Sequence, residues 1–447
     1  MNGIPLFQIA YFAHIGATII GAAAIPWLTR RWPNAPWITA LLAAGCAALA
    51  VSAFLVSDPP QIFQDFRIAY YPAGKAILMD PTQLRVLTGM GVSGFVNMPV
   101  VAYLFAPLAL LPMSTATILF MVSALAATAV AWWLLARLTG LDRTRRWLLA
   151  LLFAANGPLQ YSVKEGNSSH FILLALAGSL ALLRSARPAT AGALLGAAAI
   201  VKPPLLIFGI FFILRRDIRG LAGFAATCAA AVALSLAIFG WDDNLQWFEQ
   251  CVLQFSRCWL AAFNVQSIPA FLFRFQAAPA LLRDWNAYMP PTSLMLPAQL
   301  LLGLLFAAGA AAALRAPAMQ AEQDTEERRD LQYGLVLCLA VLSSPLSWSH
   351  YYCWLLLPTT LFLGMRSVTL PMRVCGWLAI LLVTPLVRPL VFGQAWAVEF
   401  YKDIAVSHFL FGGLLWFGLL AWRLARPGTR SALPTTGYSL PSSASPS

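Results

Sequence analysis

The sequence predicts an all-α integral membrane protein, built as a polytopic helical bundle, and three observations support this. Of the 447 residues, 60% are hydrophobic and only 10% are charged, whereas soluble domains carry about 25% charged residues. The mean hydropathy is +0.74. Apolar runs often exceed about 18 residues, the length that a membrane-spanning helix needs. We expect one transmembrane domain over residues 1–426 and a disordered Ser-, Pro- and Thr-rich cytoplasmic tail over residues 427–447.

Basic residues set the orientation of the spans. Arg30 and Arg31 follow the first apolar segment, so the positive-inside rule places that end in the cytoplasm. We predict about thirteen spans, several of them short. They cover residues 8–29, 37–56, 114–138, 147–161, 168–183, 189–201, 205–214, 221–239, 292–314, 331–347, 353–365, 374–391 and 406–422.

Two long loops interrupt this pattern, and the orientation predicts that both are external. The first loop covers residues 57–113 and the second loop covers residues 241–291. Residues 99–111 are apolar but short, which indicates a re-entrant or interfacial helix inside the first loop. By this map the whole formal charge of +12 lies on the cytoplasmic side. The basic balance is therefore a topology signal, and we expect no nucleic-acid partner.

The cysteines and acidic residues show no metal-binding pattern. The seven cysteines are scattered and include no CxxC pair, which argues against a zinc site or a disulfide framework. No set of Asp, Glu and His has the spacing of metal ligands. We therefore expect neither a metal ion nor another cofactor.

Asp65 is the candidate chemical centre, because it lies near the start of the first loop. Long loops in compact folds usually have a function. A general base needs a carboxylate within hydrogen-bond reach of a hydroxyl. Tyr70 and Tyr71 follow Asp65 and offer flat faces for sugars or lipid head groups. The alternative is a solvated loop carboxylate beside ordinary interfacial tyrosines. Two further acids of this loop, Asp58 and Asp80, precede prolines and are interpreted as turn residues.

A second polar cluster contains Trp348 and His350, between two predicted spans. His350 could donate to a phosphate or relay a proton. The alternative is that both residues belong to the aromatic belt at the membrane surface.

The third cluster lies in the second loop and contains Asn264, Gln266, Ser267 and Arg274. An arginine fork matches phosphate oxygens well, although a solvated loop arginine is the alternative. Lys202 stands at a helix end on the same predicted side and could also bind phosphate, or extend its side chain to the interface.

These residues together resemble glycosyltransferase family 87. The resemblance rests on an ordered set of motifs: Asp65-Phe66-x3-Tyr70-Tyr71-x2-Gly74-Lys75, Asn97-x-Pro99-x7-Pro107, Gly166-Asn167, Gly192-x3-Gly196-x5-Lys202-Pro203, Asn264-x-Gln266-Ser267 with Arg274, and Ser344-Pro345-x2-Trp348-x-His350. The resemblance implies the C-type glycosyltransferase fold and a polyprenyl-phosphate-mannose donor. It also implies that Asp65 is the catalytic base, with Lys75 among the substrate-binding residues.

The sequence thus predicts a hexosyltransferase of the cytoplasmic membrane whose site lies on the external face. It would move mannose from a polyprenyl-phosphate sugar to a lipid or glycan acceptor with inversion. Two alternatives stay open: another lipid-linked sugar, such as arabinose or glucose, or a lipid or solute transporter. A transporter is disfavoured because the predicted spans carry almost no ionisable residue at mid-depth.

Overall fold

The computed structural model describes residues 5–55, 57, 62–315, 322–365 and 367–425. Across these ranges every regular element is helical, and the β-type contacts are two isolated bridges, Trp259–Tyr288 and Val265–Trp348. The predicted all-α membrane fold is confirmed. The predicted tail over residues 427–447 and the side chain of Asp58 lie outside the described residues.

Twenty-one α-helices follow one another in the described ranges. The first seven are α1 Leu6–Arg31, α2 Pro36–Ala50, α3 Ser52–Leu55, α4 Tyr71–Met79, α5 Thr82–Gly89, α6 Ala106–Ala109 and α7 Met113–Leu138. The next seven are α8 Arg143–Ala155, α9 Gly157–Glu165, α10 Ser169–Arg184, α11 Pro188–Val201, α12 Phe208–Leu214, α13 Ile218–Trp247 and α14 Gln254–Arg257. The last seven are α15 Ile268–Arg274, α16 Thr292–Arg315, α17 Glu322–Ser343, α18 Leu356–Gly364, α19 Leu370–Val383, α20 Ala395–Asp403 and α21 His408–Ala425.

Short segments of other helix types join several of these helices. The two π-helical turns are Phe66–Tyr70 and Phe248–Leu253. The 3-10 turns are Gly91–Ser93, Pro99–Leu104, Pro203–Ile207, Pro279–Arg283, Ser349–Leu355 and Ala405–Ser407.

Five helical stretches of the described chain are long and apolar enough to cross a membrane. They are Leu6–Arg31, Met113–Leu138, Ile218–Arg257, Thr292–Leu314 and Ala395–Ala425. Shorter apolar helices lie between them, at Pro36–Ala50, Ser169–Arg184, Pro188–Val201, Pro203–Leu214 and Leu370–Val383. The structure therefore has the helices of a multi-pass membrane protein, while the total of about thirteen spans stays a prediction.

One predicted span ends elsewhere than the apolar pattern indicates, and another is followed directly by further helix. The predicted span over residues 147–161 is broken at Asn156, whose Oδ1 accepts the Leu159 N–H at 2.8 Å and so begins helix α9. The predicted span over residues 221–239 ends at a kink, at Gly240. This glycine has φ +73°, a left-handed conformation that glycine adopts without strain. A further helical stretch follows the kink and runs to Arg257, so the second loop begins as a helix.

The first loop is folded, with its own small hydrophobic core. Phe66, Phe95 and Phe105 are buried there and pack with Phe120 of helix α7. The predicted re-entrant helix over residues 99–111 is shorter than expected, because a 3-10 turn and the four-residue helix α6 take its place. This packing fixes the loop against the helical bundle.

The start of the first loop docks onto the C-terminal end of helix α9. The Phe63 N–H donates to the Lys164 carbonyl at 2.6 Å. Phe63 has φ +58°, a left-handed backbone that costs about 1–3 kcal/mol at a bulky residue. Helix α9 ends at Gly166, where φ is +68° and an added Cβ would lie 2.7 Å from the Cβ of Phe66. The contact places Asp65 against the residue after Gly166.

Candidate active site

A cavity of about 550 Å³ lies where the first loop, the second loop and helix α9 meet. Six of the residues singled out in the sequence line it: Asp65, Tyr70, Lys202, Asn264, Trp348 and His350. They come from four separate stretches of the chain. The cavity is thus a composite of distant segments, and its size falls within the range of small-molecule sites.

Asp65 is half-buried in the cavity wall, at the start of the π-helical turn Phe66–Tyr70. Its Oδ2 accepts a hydrogen bond from the Asn167 amide Nδ2 at 2.7 Å. Burial raises the pKa of the Asp65 carboxyl, while the Asn167 hydrogen bond and the positive charges of Lys202 and Lys164 oppose that shift. A carboxylate held in this way is suited to accept a proton.

Lys202 follows the last residue of helix α11, where Pro203 and Pro204 end the helix. Its Nζ donates to Asn167 Oδ1 at 3.1 Å and lies 5.2 Å from the ring centroid of Tyr351. Burial lowers the pKa of Lys202 to about 8, although the charge of Asp65 favours the ammonium form. The cavity therefore contains a buried cation that the chain holds close to a carboxylate.

His350 lies in the 3-10 turn Ser349–Leu355, with its ring parallel to two neighbouring rings. The centroid of the His350 ring lies 6.4 Å from that of the Tyr161 ring, with an angle of 21° between the ring planes. It lies 6.2 Å from the centroid of the Trp348 ring, with an angle of 10° between the planes. Neither ring nitrogen has a hydrogen-bond partner among the described residues. Burial lowers the pKa of His350 well below its usual value, and the charge of Lys202 adds to this. The neutral imidazole can donate one N–H to a ligand in the cavity.

Asn264, from the second loop, belongs to a hydrogen-bonded wall of the same cavity. Its Nδ2 donates to the Tyr161 hydroxyl at 3.2 Å, and its Oδ1 accepts the indole N–H of Trp285 at 3.0 Å. Trp285 keeps 38% of its surface exposed. An oriented, accessible tryptophan ring beside polar groups can hold an amphipathic ligand such as a sugar.

Glu165 is a second carboxyl in the cavity, and it is not among the site residues predicted from the sequence. Its Oε1 lies 2.6 Å from the Lys164 Nζ, and both side chains are about nine-tenths buried. Burial raises the pKa of Glu165 to about 7, which the neighbouring Lys164 partly offsets. The sequence showed an adjacent Lys-Glu pair before Gly166, and lysine and glutamate are rarely buried unless they are paired.

Asn167, Tyr161, Trp285 and Tyr351 also line the cavity without having been selected from the sequence as site residues. Asn167 contacts both Asp65 and Lys202. Its position two residues after a buried Lys-Glu pair, within the Gly166-Asn167 motif, was the available signal. The rings gave no signal, because aromatic residues are ordinary at a membrane interface.

Arg274 is not brought into the cavity. It is fully buried, and its guanidinium donates to the carbonyls of Ala261 at 3.0 Å and Ala262 at 2.6 Å, and to Val265. It also donates to the Ser407 hydroxyl at 2.8 Å. The structure therefore makes Arg274 the internal support of the second loop, since its nitrogens are engaged by backbone acceptors.

Gln266 and Ser267 have similar internal roles. The Gln266 Nε2 donates to the carbonyls of Phe263 and Val406, each at 2.8 Å. The Ser267 Oγ caps helix α15 by accepting the Ala270 N–H at 3.1 Å. Neither side chain lines the cavity.

Tyr71 and Lys75 point elsewhere as well. The Tyr71 hydroxyl donates to the Leu111 carbonyl at 2.8 Å and so ties helix α4 to the end of the first loop. Lys75 is exposed and lies outside the cavity lining. Tyr70 lines the cavity and Tyr71 does not. Helical geometry explains this, because the side chains of two consecutive residues point to different sides of a helix.

A search of the described residues finds no group of three or more His, Cys, Asp and Glu side chains that could hold a metal ion. All seven cysteines are free thiols in the structure.

Comparison with known proteins gives a consistent family signal. The model of glycosyltransferase family 87 matches residues 95–345. This range contains Asn167, Lys202 and Asn264, begins after Asp65 and ends before His350.

Two curated relatives are both described as polyprenol-phosphate-mannose-dependent alpha-(1-2)-phosphatidylinositol mannoside mannosyltransferases. The protein from Mycobacterium tuberculosis is 27% identical over 325 residues, covering 65% of this chain and 68% of the relative. The protein from Mycolicibacterium smegmatis is 28% identical over 318 residues, with the same two shares. No solved structure matches the chain.

Proposed function

The chain belongs to glycosyltransferase family 87, and from this premise we propose that it transfers mannose from a polyprenyl-phosphate carrier to a hydroxyl of a lipid or glycan acceptor. The observation that carries the proposal is the cavity, which joins a carboxylate, Asp65, with a buried cation, Lys202, and the unpartnered imidazole of His350. The names of the two relatives favour mannose over arabinose or glucose as the sugar. The family assignment favours an enzyme over a transporter.

In the proposed reaction Asp65 is the general base. Its carboxylate takes the proton of the acceptor hydroxyl as the acceptor oxygen bonds to the anomeric carbon of the donor sugar. The bond between that carbon and the phosphate oxygen breaks at the same time, and the electron pair leaves with the polyprenyl phosphate. One displacement inverts the anomeric carbon, so a β-linked donor gives an α-linked product.

Lys202 and His350 stabilise the leaving phosphate. Negative charge develops on the phosphate oxygen as its bond to the sugar breaks, and donors aimed at that charge lower the barrier. Lys202 supplies an ammonium group, and the neutral His350 supplies one N–H. The carrier already activates the sugar, so the reaction assigns no step to a metal ion or a cofactor.

The aromatic wall holds the sugars. Tyr70 and Trp348 line the cavity, and Asn264 fixes the Trp285 ring through its indole N–H. Such rings offer apolar faces to sugars, while the amide and carboxyl groups offer hydrogen bonds to sugar hydroxyls.

The proposal includes a location at the outer face of the cytoplasmic membrane. Helix α1 ends at Arg30 and Arg31, and the positive-inside rule orients the chain from there. A cysteine introduced at Asp80 or Asn286, in a cysteine-free background, should react with a membrane-impermeant thiol reagent in intact spheroplasts. A cysteine at Thr325 should stay protected. Labelling at Thr325 with protection at Asp80 would place the site on the cytoplasmic side.

Transfer by purified protein tests the proposed function. The protein in detergent is incubated with radiolabelled polyprenyl-phosphate mannose and membrane lipid extract as acceptor. We expect labelled product from the wild type and none above background from Asp65→Asn. The same assay with polyprenyl-phosphate glucose and arabinose tests the sugar. Faster transfer of either sugar would contradict mannose, and equal product from Asp65→Asn would contradict the proposed site.

A further inference from the structure

Asn167 stands between the two charged groups of the cavity. Its Nδ2 donates to Asp65 Oδ2 at 2.7 Å, and its Oδ1 accepts from the Lys202 Nζ at 3.1 Å. The side chain of Asn167 is buried. A single amide therefore bridges the carboxylate to the ammonium group.

The neighbouring serine fixes the direction of this amide. Asn167 Oδ1 also accepts the backbone N–H of Ser169 at 3.1 Å and the Ser169 hydroxyl at 3.0 Å. Because all three of these groups are donors, the atom that they meet must be the oxygen of the amide. The NH₂ group must then face Asp65, and it can only donate there.

The backbone holds Asn167 in place independently of the two charges. The Asn167 N–H donates to the Ser162 carbonyl at 2.8 Å, one turn back in helix α9. This hydrogen bond needs a residue in the left-handed conformation just before Asn167, and Gly166 supplies it. The bridge is thus part of the folded end of the helix, ready before any substrate binds.

We propose that Asn167 is a positioning residue that aims Asp65 at the acceptor hydroxyl and prevents Lys202 from pairing with it directly. The inference rests on the proposed function. A direct ion pair between Lys202 and Asp65 would turn the ammonium group of Lys202 towards Asp65 and away from the leaving phosphate. With the Asn167 amide between Asp65 and Lys202, the hydrogen bond from Asn167 occupies Oδ2 of Asp65. Oδ1 of Asp65 is then the atom that takes the proton of the acceptor hydroxyl. Lys202 keeps donors for the leaving phosphate, because an ammonium group carries three.

The Asn167→Asp and Asn167→Ala variants test this bridge through the pH profile of kcat/KM. Asn167→Asp keeps the shape but places a second carboxylate beside Asp65 and offers Lys202 a direct partner. Asn167→Ala removes the donor to Asp65. The second carboxylate of Asn167→Asp favours the protonated form of Asp65. Asn167→Ala instead leaves Lys202 free to pair with Asp65 directly, which draws the ammonium group away from the leaving phosphate. We therefore expect the acid limb of the Asn167→Asp profile to move to higher pH by about one unit or more, and kcat at neutral pH to fall by about tenfold or more in both variants.

Asn156→Asp is the matched control, because Asn156 is an equally buried asparagine at the other end of helix α9. An aspartate keeps its role as helix cap and loses only the 3.3 Å bond from the Asn156 amide to the Val383 carbonyl. Asn156 does not line the cavity, so the pH profile of this variant should match the wild type. A purely structural role for Asn167 would lower kcat by the same factor at every pH, and an acid limb at the wild-type position in Asn167→Asp would overturn the inference. The proposed function fails separately, through full activity of Asp65→Asn.

Discussion

Asp65 and Arg274 look alike in the sequence, since each is a charged residue in a long loop of a very apolar chain. The structure separates them by what surrounds their charges. Asp65 faces a cavity and accepts an amide hydrogen bond from Asn167. Arg274 is fully buried, and its guanidinium donates to three backbone carbonyls and a serine hydroxyl. The comparison teaches that hydrogen-bond saturation distinguishes a supporting charge from one available to a substrate.

Arg274→Ala should give the largest effect, and the effect should be on folding. The substitution leaves buried carbonyls of the second loop without donors, and each unsatisfied group costs about 1–3 kcal/mol. Arg274→Lys should rescue little, because an ammonium group does not reproduce the planar fork of arginine. Thermal unfolding and size-exclusion profiles in detergent measure this. A monodisperse, normally stable Arg274→Ala protein without activity would instead place Arg274 in the site.

Lys202→Ala and His350→Ala should lower turnover while the protein stays folded. Each removes a donor to the leaving phosphate, and loss of one such donor costs about 10²–10³-fold in kcat. His408→Ala is the control for histidine, because its Nδ1 already bonds to the Leu382 carbonyl and it lies outside the cavity. Turnover near wild type in Lys202→Ala or His350→Ala would remove that residue from the reaction.

The pH dependence sharpens the contrast between the two cavity charges. Asp65 must be ionised, so activity is lost as the pH falls through its pKa, which burial raises above the usual carboxyl range. Lys202 must be protonated, so activity is lost as the pH rises through its pKa of about 8. We expect a bell-shaped kcat/KM profile. Lys202→Arg should remove the alkaline limb, since arginine stays charged. If the alkaline limb were unchanged in Lys202→Arg, a group other than Lys202 would be responsible for that limb.

The fold was predictable as far as hydropathy determines it. Composition and apolar length were enough for an all-α membrane protein, because the bilayer leaves few alternatives for a buried backbone. The helix ends were less predictable where one residue decides them. Asn156 divides an apolar run by capping a new helix, and Gly240 places a kink between one helix and the next. Both outcomes depend on local backbone geometry that hydropathy does not contain.

The candidate site was predictable only in part, for a physical reason. Asp65, Lys202 and His350 were selected by residue type and predicted side, and the structure places them in one cavity. Arg274 and Gln266 were selected by the same reasoning, yet backbone carbonyls of the folded loop take their donors. Tertiary contacts decide which side-chain donors are hydrogen-bonded inside the fold. The spacing of residues in the sequence does not show these contacts.

The rate of Asp65→Asn is the most direct test of the central claim that Asp65 is the base. Asparagine has nearly the same shape but cannot take the proton of the acceptor. Asp80→Asn is the matched control, because the Asp80 carboxylate accepts from Thr82 and Gln83 in an exposed turn outside the cavity. At saturating donor and acceptor, we predict that Asp65→Asn loses about 10²–10⁴-fold in kcat. Donor binding and folding should be retained, and Asp80→Asn should stay within a few-fold of wild type. Retention of more than about a tenth of the activity by Asp65→Asn, a barrier change under about 1.4 kcal/mol, would contradict the account.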